Sequence, residues 1–477
     1  MSKDDDSERL PSHIRALLGD ARLEDRVRRI LDRSGEELST GRIGRAFRMG
    51  KLAASAGSRV VGDRARALLS KDPSAKSDGV ELALELVESL ADLRGVAMKV
   101  GQMLSYIDDS LPPEAQRVLG LLQRSAPPMP FRDIERILTA ELGGSLSAHF
   151  AEIDPKPLAA ASIGQVHRAR LPSGEDVAVK VQYPGIQEAM RADLKNAKVL
   201  SLFKKVLFYR VNSAAIMAEL EERLIDECDY IKEADYQESF RRRFEGHPVI
   251  VVPQVFRERS TSRVLTTRLE HGLSFHEWLA RGPSADERER AGKTFYRFYL
   301  GTFYLDGLFN CDPHPGNYLF REDGRIVFLD YGCSRRFPEE RRLLWIRMVD
   351  AVRRDDEALI HETGSAVGFL PPGVDYDRAA FRSLMRYLYA PYLANTPYDF
   401  SLHRPMTTFR EMFVDNPNLF KLNMPADAVF LNRITFGLVS LLTAIGAPIH
   451  CFELANAYFE RRDLDWADDP KLAAPAL

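Results

Sequence analysis

The sequence predicts an α+β protein of two lobes, the first mixed and the second mostly helical. Between Phe150 and Arg268, short runs alternate apolar and polar residues around Gly- and Pro-containing turns, as strands do. From Ser274 to Arg461, apolar residues recur at helical spacing over long stretches. A third observation marks the centre of interest. One short hairpin pattern, Asn310 to Gly332, interrupts the helical half and carries three candidate oxygen donors, Asp312, Asn317 and Asp330. The 477 residues are too many for one simple core.

Composition narrows the class. Hydrophobic content of 45% and charge of 28% are ordinary for a soluble globular protein. A net charge of −3 offers no bulk argument for nucleic acid as a partner. Cys228, Cys311, Cys333 and Cys451 are scattered with no CxxC pair, which predicts neither a disulfide framework nor a zinc site and suits a reducing compartment. The acidic start, MSKDDDSERL, does not read as a signal peptide. The longest apolar run, Phe436–Ala447, is shorter than the ~20 residues of a spanning helix and reads as a buried one. The expected location is cytoplasmic.

Residues 1–79 read as a helical, basic extension. Ile14 to Leu31 has a helical pattern, and residues 42–69 interleave seven basic residues, among them Arg42, Arg45 and Lys51, with apolar ones. Two readings stay open for that segment: peripheral contact with the inner face of an anionic membrane, or a solvated helix face packed on the main domain. Residues 80–149 form a helical subdomain. Val80–Ile107 reads as one long helix ending in MKVGQML, with Lys99 and Gln102 three apart on one face. A second helix, Phe131–Glu141, follows a proline-rich joint and closes at Gly143-Gly144.

Residues 150–270 supply the small lobe. Gln165–Arg170 and Asp176–Gln182 read as strands flanking the turn Pro172–Glu175, with Lys180 on the second. A V-A-x-K strand is where a kinase-type fold places the lysine that holds the α- and β-phosphates. The turn before it should be glycine-rich so that backbone N–H groups reach phosphate. Here it reads Ala159-Ala160-Ala161-Ser162-Ile163-Gly164, and each added Cβ restricts the backbone. Ile186–Phe208 and Asn212–Arg243 then read as helices, the latter long and acidic, with Glu233 the best partner for Lys180. Val249–Val255 and Arg263–Arg268 read as strands, and Thr267, Arg268, Leu269 and Glu270 as a lobe-to-lobe hinge whose backbone would meet the adenine edge.

Residues 271–477 form the helical lobe, with helices expected over Phe275–Ala280, Ala285–Leu305, Glu339–Arg354, Glu357–Glu362, Asp377–Leu393, Phe409–Phe413, Asp427–Gly446 and His450–Arg461. The hairpin is expected to hold the only strands of this half. Its runs Tyr318–Phe320 and Ile326–Leu329 flank Glu322–Gly324 and would set Asn317 beside Asp330, with Asp312 one proline-stiffened loop away. Asn317 and Asp330 are hard oxygen donors of the kind that hold a phosphate-bridging Mg²⁺, and Asp312 can accept a proton. This is the layout of kinase-type phosphoryl transfer: a loop Asp, an Asn five on, then Asp-x-Gly. Only CSRRFPEERR separates Gly332 from the next helix, so no long activation segment and no A-P-E platform is available for a peptide substrate. His314 stands where such loops usually carry Lys.

These residues together resemble the UbiB/ADCK atypical kinase-like family, which supports ubiquinone and other isoprenoid-lipid metabolism. The likeness runs from Val80 to Gly332 motif by motif. Lys99-Val100-Gly101-Gln102 matches the KxGQ motif, Ala159–Ser162 the alanine-rich loop, and Glu227-Cys228-Asp229 the ExD motif. Asp312-Pro-His-Pro-Gly-Asn317 with Asp330-Tyr331-Gly332 matches the catalytic and metal pair. The resemblance implies an atypical protein-kinase-like bilobal fold with a KxGQ helix insert. It implies ATP or ADP with Mg²⁺ as cofactors, Lys180 on phosphates and paired with Glu233, and Asn317 and Asp330 on the metal. Asp312 would be catalytic base, and the KxGQ helix would lie over the pocket with Lys99 near Glu227 and Asp229. On a regular helix those two carboxylates point about 200° apart, so either the helix is distorted there or they serve different partners.

The resulting expectation is an Mg-ATP-dependent ATPase or kinase for a small-molecule or lipid-like acceptor, with lipid-biosynthesis proteins as partners. The competing reading from another class is a nucleotide-binding regulator or scaffold with little turnover. An aminoglycoside- or choline-type small-molecule kinase shares the D-x-H-x-x-N loop but lacks KxGQ.

Overall fold

The structure is a computed structural model that describes residues 129–161, 163–188, 191, 225–400, 416–418, 421–423 and 425–459. All belong to one compact unit, Met129–Leu477. The expectations for residues 1–79, the KxGQ helix, Ser162, most of the insert before Ile225 and Phe409–Phe413 lie outside the described residues.

The chain enters through α1 (Phe131–Leu142) and a single turn, α2 (Leu146–His149). Then come β1 (Glu152–Ala161), β2 (Gly164–Arg170) and β3 (Asp176–Gln182). The third strand has the bounds its alternation predicts: Val177, Val179 and Val181 are fully buried. With β5 (Val264–Arg268) they form an antiparallel sheet in the order β1-β2-β3-β5. One face packs on α1 through Ile134, Ile137 and Leu138, which recur at helical spacing and are buried.

The alanine segment differs from expectation. Ala159, Ala160 and Ala161 are strand residues paired with Val166, Gln165 and Gly164. Alanine takes strand geometry without strain, and glycine is retained where it is needed. A Cβ at Gly164 would overlap the Val181 carbonyl on the neighbouring strand.

The long acidic helix is also broken. Helix α3 covers Tyr230–Arg243 only, and Glu227–Cys228 form a turn before it. Asp229, in extended conformation (φ −116°, ψ 95°), is its N-cap and accepts a hydrogen bond from the Ile231 amide at 3.1 Å.

The second lobe is built around a four-stranded sheet, β4-β9-β8-β6. Here β4 is Ile250–Val251, β6 is Leu273–Ser274, β8 is Tyr318–Phe320 and β9 is Ile326–Phe328. The expectation of an isolated hairpin is therefore corrected. Its outer edges are covered by β4, parallel to β9, and β6, antiparallel to β8. A further pair, β7 (Leu308–Asn310) and β10 (Ser334–Arg336), flanks the hairpin. Two- and three-residue strands are too short for a periodic signal, which is why the sequence does not announce them.

Helices α4 (Phe275–Ala280) and α5 (Ala285–Tyr296) each begin with a capping box, Ser274/Glu277 and Ser284/Glu287. The latter widens into a π turn, Arg297–Gly301, before α6 (Thr302–Asp306). Next come α7 (Glu339–Arg354), α8 (Glu357–Val367), α9 (Arg378–Leu388), α10 (Ala426–Ile445) and α11 (Cys451–Phe459). An aromatic core that includes Phe295, Phe298, Tyr318 and Phe328 fills the space between the hairpin sheet and α5.

Helix α10 supports the loop ahead of the hairpin. A Cβ at Gly437 would overlap the Pro313 ring. Gly437→Ala is expected to cost about 1–3 kcal/mol of stability as an overpacking change. It should also impair the function of neighbouring Asp312, measured by thermal melting alongside turnover. A melting temperature equal to wild type would show that this contact does not constrain the loop.

His247 fixes the start of β4. Its Nδ1 accepts the Val249 and Ile250 amides at 3.2 and 2.9 Å. Burial, with Arg297 and Arg243 nearby, lowers its pKa to about 3. The folded state therefore resists a proton that the unfolded chain takes up near pH 6.5. The unfolded state binds more protons between about pH 6.5 and 3, so stability falls with pH across that window, by up to about 1.4 kcal/mol per unit. Urea melts as a function of pH should show this slope, and His247→Asn should flatten it.

Candidate active site

Strand β3 points Lys180 at helix α3, where Glu233 stands one turn past the Asp229 cap. The ammonium donates to both carboxylate oxygens, at 2.8 and 3.0 Å. The two side chains are 18% and 3% exposed. Asp330 Oδ2 lies 3.7 Å from the same nitrogen, and the Tyr230 ring lies beneath it at 5.0 Å. Burial alone would push Lys180 down, but Asp330 and Glu233 outweigh it and hold its pKa well above the ordinary range. The lysine therefore stays an ammonium through the neutral range.

The opposite wall is the loop before β8. Asn317 donates through Nδ2 to the Asp312 carbonyl at 3.2 Å and to its carboxylate at 3.4 Å. His314 Nδ1 accepts the Gly316 amide at 3.0 Å and caps the short turn Pro315–Asn317. The hairpin closes as expected, with the Leu329 amide on the Asn317 carbonyl at 3.0 Å. Asp330 Oδ1 accepts the Gly332 amide at 2.9 Å, which turns its other oxygen toward Lys180.

Asn310 links the two halves and was not singled out from sequence. Its Oδ1 accepts the Asp312 amide at 2.9 Å, and its Nδ2 donates to the Asp330 carbonyl at 2.8 Å. An Asn two residues before the loop Asp is the signal that could have found it, because Asn side chains often bond a backbone amide two residues on. Tyr299 was also missed. The π turn places its hydroxyl 3.3 Å from the Asp312 carbonyl and 2.5 Å from the Tyr318 hydroxyl. Nothing in the apolar pattern distinguishes a π turn from a regular helix.

The other predicted residues fall as follows. Ala159, Ala160 and Ala161 end β1. Thr267 and Arg268 close β5, the Arg268 amide donates to the Gln254 carbonyl, and the Leu269 amide donates to the Asp176 carbonyl. These two donors are used within the protein, which leaves an adenine edge the hinge's other backbone groups. The Glu270 carboxylate accepts from Arg321 at 3.1 Å. Glu227 is buried and lines a cavity of ≈ 330 Å³ that also contacts Gly332, Lys232 and Asp226, whereas Asp229 caps its own helix. The two carboxylates of the ExD motif thus serve different partners. Lys99, Gln102 and Ser162 lie outside the described residues.

After Gly332 the chain returns at once. The Cys311 amide donates to the Cys333 carbonyl at 2.8 Å, β10 pairs with β7, and α7 begins at Glu339. No peptide platform fits in that interval.

A model of the ABC1 atypical kinase-like domain matches residues 121–363. The chain is 30% identical over 438 residues to the atypical kinase COQ8, mitochondrial, of Saccharomyces cerevisiae, covering 88% of this chain and 85% of that one. To the atypical kinase COQ8B, mitochondrial, of Danio rerio it is 34% identical over 292 residues, 60% of this chain and 46% of that one. Among solved structures, that of Rv3197 from Mycobacterium tuberculosis in complex with erythromycin aligns over 85% of this chain and all of its own, at 27% identity and a TM-score of 0.58.

The fold and site thus define an atypical kinase-like nucleotide-binding protein. The chain belongs to the ABC1 family that includes the UbiB and COQ8 proteins, and its reaction class is ATP-dependent phosphoryl transfer or ATP hydrolysis. Among the described residues no helix is long and apolar enough to cross a membrane.

Removing one member of the buried pair strands the other. Glu233→Gln is expected to lower stability by about 3–5 kcal/mol, whereas Lys180→Met combined with Glu233→Leu should recover most of it. Chemical denaturation of the three variants checks this. A double variant less stable than the single one would show that the pair contributes net stability.

Proposed function

We propose that the chain binds Mg-ATP and Mg-ADP between Lys180 and the Asn317–Asp330 hairpin, and uses Asp312 to act on a small or lipid-like acceptor or on water. The pathway we assign it to is isoprenoid quinone or related lipid metabolism, following the family and the COQ8 relatives. The observation that carries the reading is the convergence of Lys180, Glu233 and Asp330, with Lys180 between the two carboxylates at 2.8 and 3.7 Å.

The donor set fits Mg²⁺. The Asn317 amide oxygen and the Asp330 carboxylate are hard donors, and Mg²⁺ typically takes one or two carboxylates with the rest of its shell from phosphates and water. When bound, the ion would neutralise charge on the transferring phosphoryl group. Lys180 binds α/β-phosphate oxygens while Glu233 orients it. Asp312, buried and fixed by Asn310 and Asn317, accepts the proton of the attacking hydroxyl or water. The short return after Gly332 supports a small acceptor over a protein one.

Lys99 and Gln102 belong to this reading as the nucleotide-site residues that the family resemblance implies, and Glu227 as a lining residue of the cavity beside Gly332. Segment 42–69 is its contact with the inner face of a membrane, where lipid-biosynthesis proteins are the expected partners. Segment deletion followed by vesicle flotation tests the contact.

Asp330→Asn is expected to lower Mg-dependent ATP turnover by about 10²-fold or more, as loss of one charge-stabilising group does elsewhere. Steady-state hydrolysis is measured with and without phenolic and lipid additives. Unchanged turnover in Asp330→Asn would remove the metal assignment. Tight nucleotide binding with no wild-type turnover under any condition would favour the regulator reading.

A further inference from the structure

A second cavity, of ≈ 620 Å³, lies between the tip of the β8–β9 hairpin, strand β6 and helices α4 and α5. None of Lys180, Glu233, Asp312, Asn317 or Asp330 lines it. Its size is that of a small-molecule site. Four guanidinium groups, of Arg281, Arg290, Arg321 and Arg325, line it against two carboxylates, of Glu287 and Glu322.

Three of those arginines already have partners. Arg321 is held by Glu270 at 3.1 Å and Asp323 at 3.3 Å, Arg325 by Asp323 at 2.7 Å, and Arg281 by Glu287. Arg290 differs. Its guanidinium makes no ion pair or hydrogen bond with any described residue, and its Nε is buried. Glu287, one turn away on the same helix, is committed to Arg281 and to the Ser284 amide. Glu322 stands exposed at the hairpin tip. A half-buried cation without an anion carries an uncompensated desolvation cost, which a bound anion would offset.

The remaining wall is apolar. Trp278 stacks on Phe320 with ring centroids 4.3 Å apart, and Leu273, 38% exposed, stands at the mouth. Cation and apolar wall together select an amphipathic molecule. We propose that this cavity binds a small organic anion, its phosphate or carboxylate on Arg290 and its apolar body against Trp278 and Leu273. Such a ligand sits at the ends of β8 and β9, whose other ends carry Asn317 and Asp330, so it braces the hairpin from outside the reaction centre.

Calorimetric titration of the full chain with phenyl phosphate, benzoate and inorganic phosphate tests this. Saturable binding of phenyl phosphate or benzoate is expected, with inorganic phosphate weaker. Arg290→Gln should lower that affinity about tenfold or more, as loss of a charged hydrogen-bond partner does, and Arg290→Lys by less. Arg290→Gln should melt no lower than wild type, since it removes an unpaired charge. If Arg290→Gln does not fold, Leu273→Glu, at the exposed mouth, should weaken binding by a similar factor. Lys180→Met combined with Glu233→Leu, the pair of changes expected to keep most of the stability, should bind the probes as wild type does. Absence of saturable binding to both organic probes, or equal affinity in Arg290→Gln, overturns the proposal. So does inorganic phosphate binding as tightly as phenyl phosphate. Loss of binding in that folded double variant would move the ligand to the nucleotide site and equally overturn it, without touching the nucleotide reading.

Discussion

The buried pair of Lys180 and Glu233 is the constraint on which the rest of the structure depends. Neither charge could be held inside the protein alone, because desolvation of an isolated ion costs several kcal/mol. Each therefore dictates the position of the element that carries the other. Strand β3 must face α3, and α3 must begin where Asp229 caps it, so that Glu233 falls within reach. Asp330 adds a second carboxylate at 3.7 Å, which ties the hairpin of the helical lobe to the sheet of the small lobe. One cation thus fixes three elements that are remote in sequence. The arrangement sets two carboxylates around a single lysine.

The hairpin is held from the other side by uncharged groups. Asn310 bonds the backbone of both Asp312 and Asp330, and β4 and β6 cover the outer edges. Tyr299 reaches the Asp312 carbonyl from a π turn, and α10 sets Gly437 against Pro313. These contacts use backbone and neutral side chains, so they position the acidic groups without neutralising them. Burial of Glu233 is tolerable because Lys180 donates to both of its oxygens, and the buried Asp312 accepts from the Asn317 amide.

Much of this was legible in the sequence, and the reasons differ by element. Strand β3 and helices α4 and α7 carry strong alternation, capping residues or length, and their predicted bounds are the observed ones. The pairing of Asn317 with the hairpin exit followed from turn chemistry alone. Other features were hidden. The break at Glu227–Asp229 sits in a run whose composition suits a helix throughout, and only the 200° separation of the two carboxylates hinted at it. The alanine segment was read as a loop because glycine usually occupies it. As a strand it pairs residue by residue with β2. Strands β7 and β10 are set by tertiary pairing across a long separation, and no local signal encodes them. Asn310 and Tyr299 act through single hydrogen bonds, which composition and periodicity do not register.

The departures share a direction. Ala159–Ala161, held in strand pairing with β2, have less freedom to fold around phosphate than a glycine loop has. The immediate β7–β10 pairing after Gly332 removes the surface on which a peptide would lie. Asp229 spends its side chain on capping, so Glu227 alone of that motif faces the cavity beside Gly332. Each change narrows access while the lysine, the two aspartates and the asparagine remain in register. Selection for speed on exposed substrates would relax such features. Access of this kind suits ATP hydrolysis or transfer to a molecule small enough to enter, and not transfer to a protein.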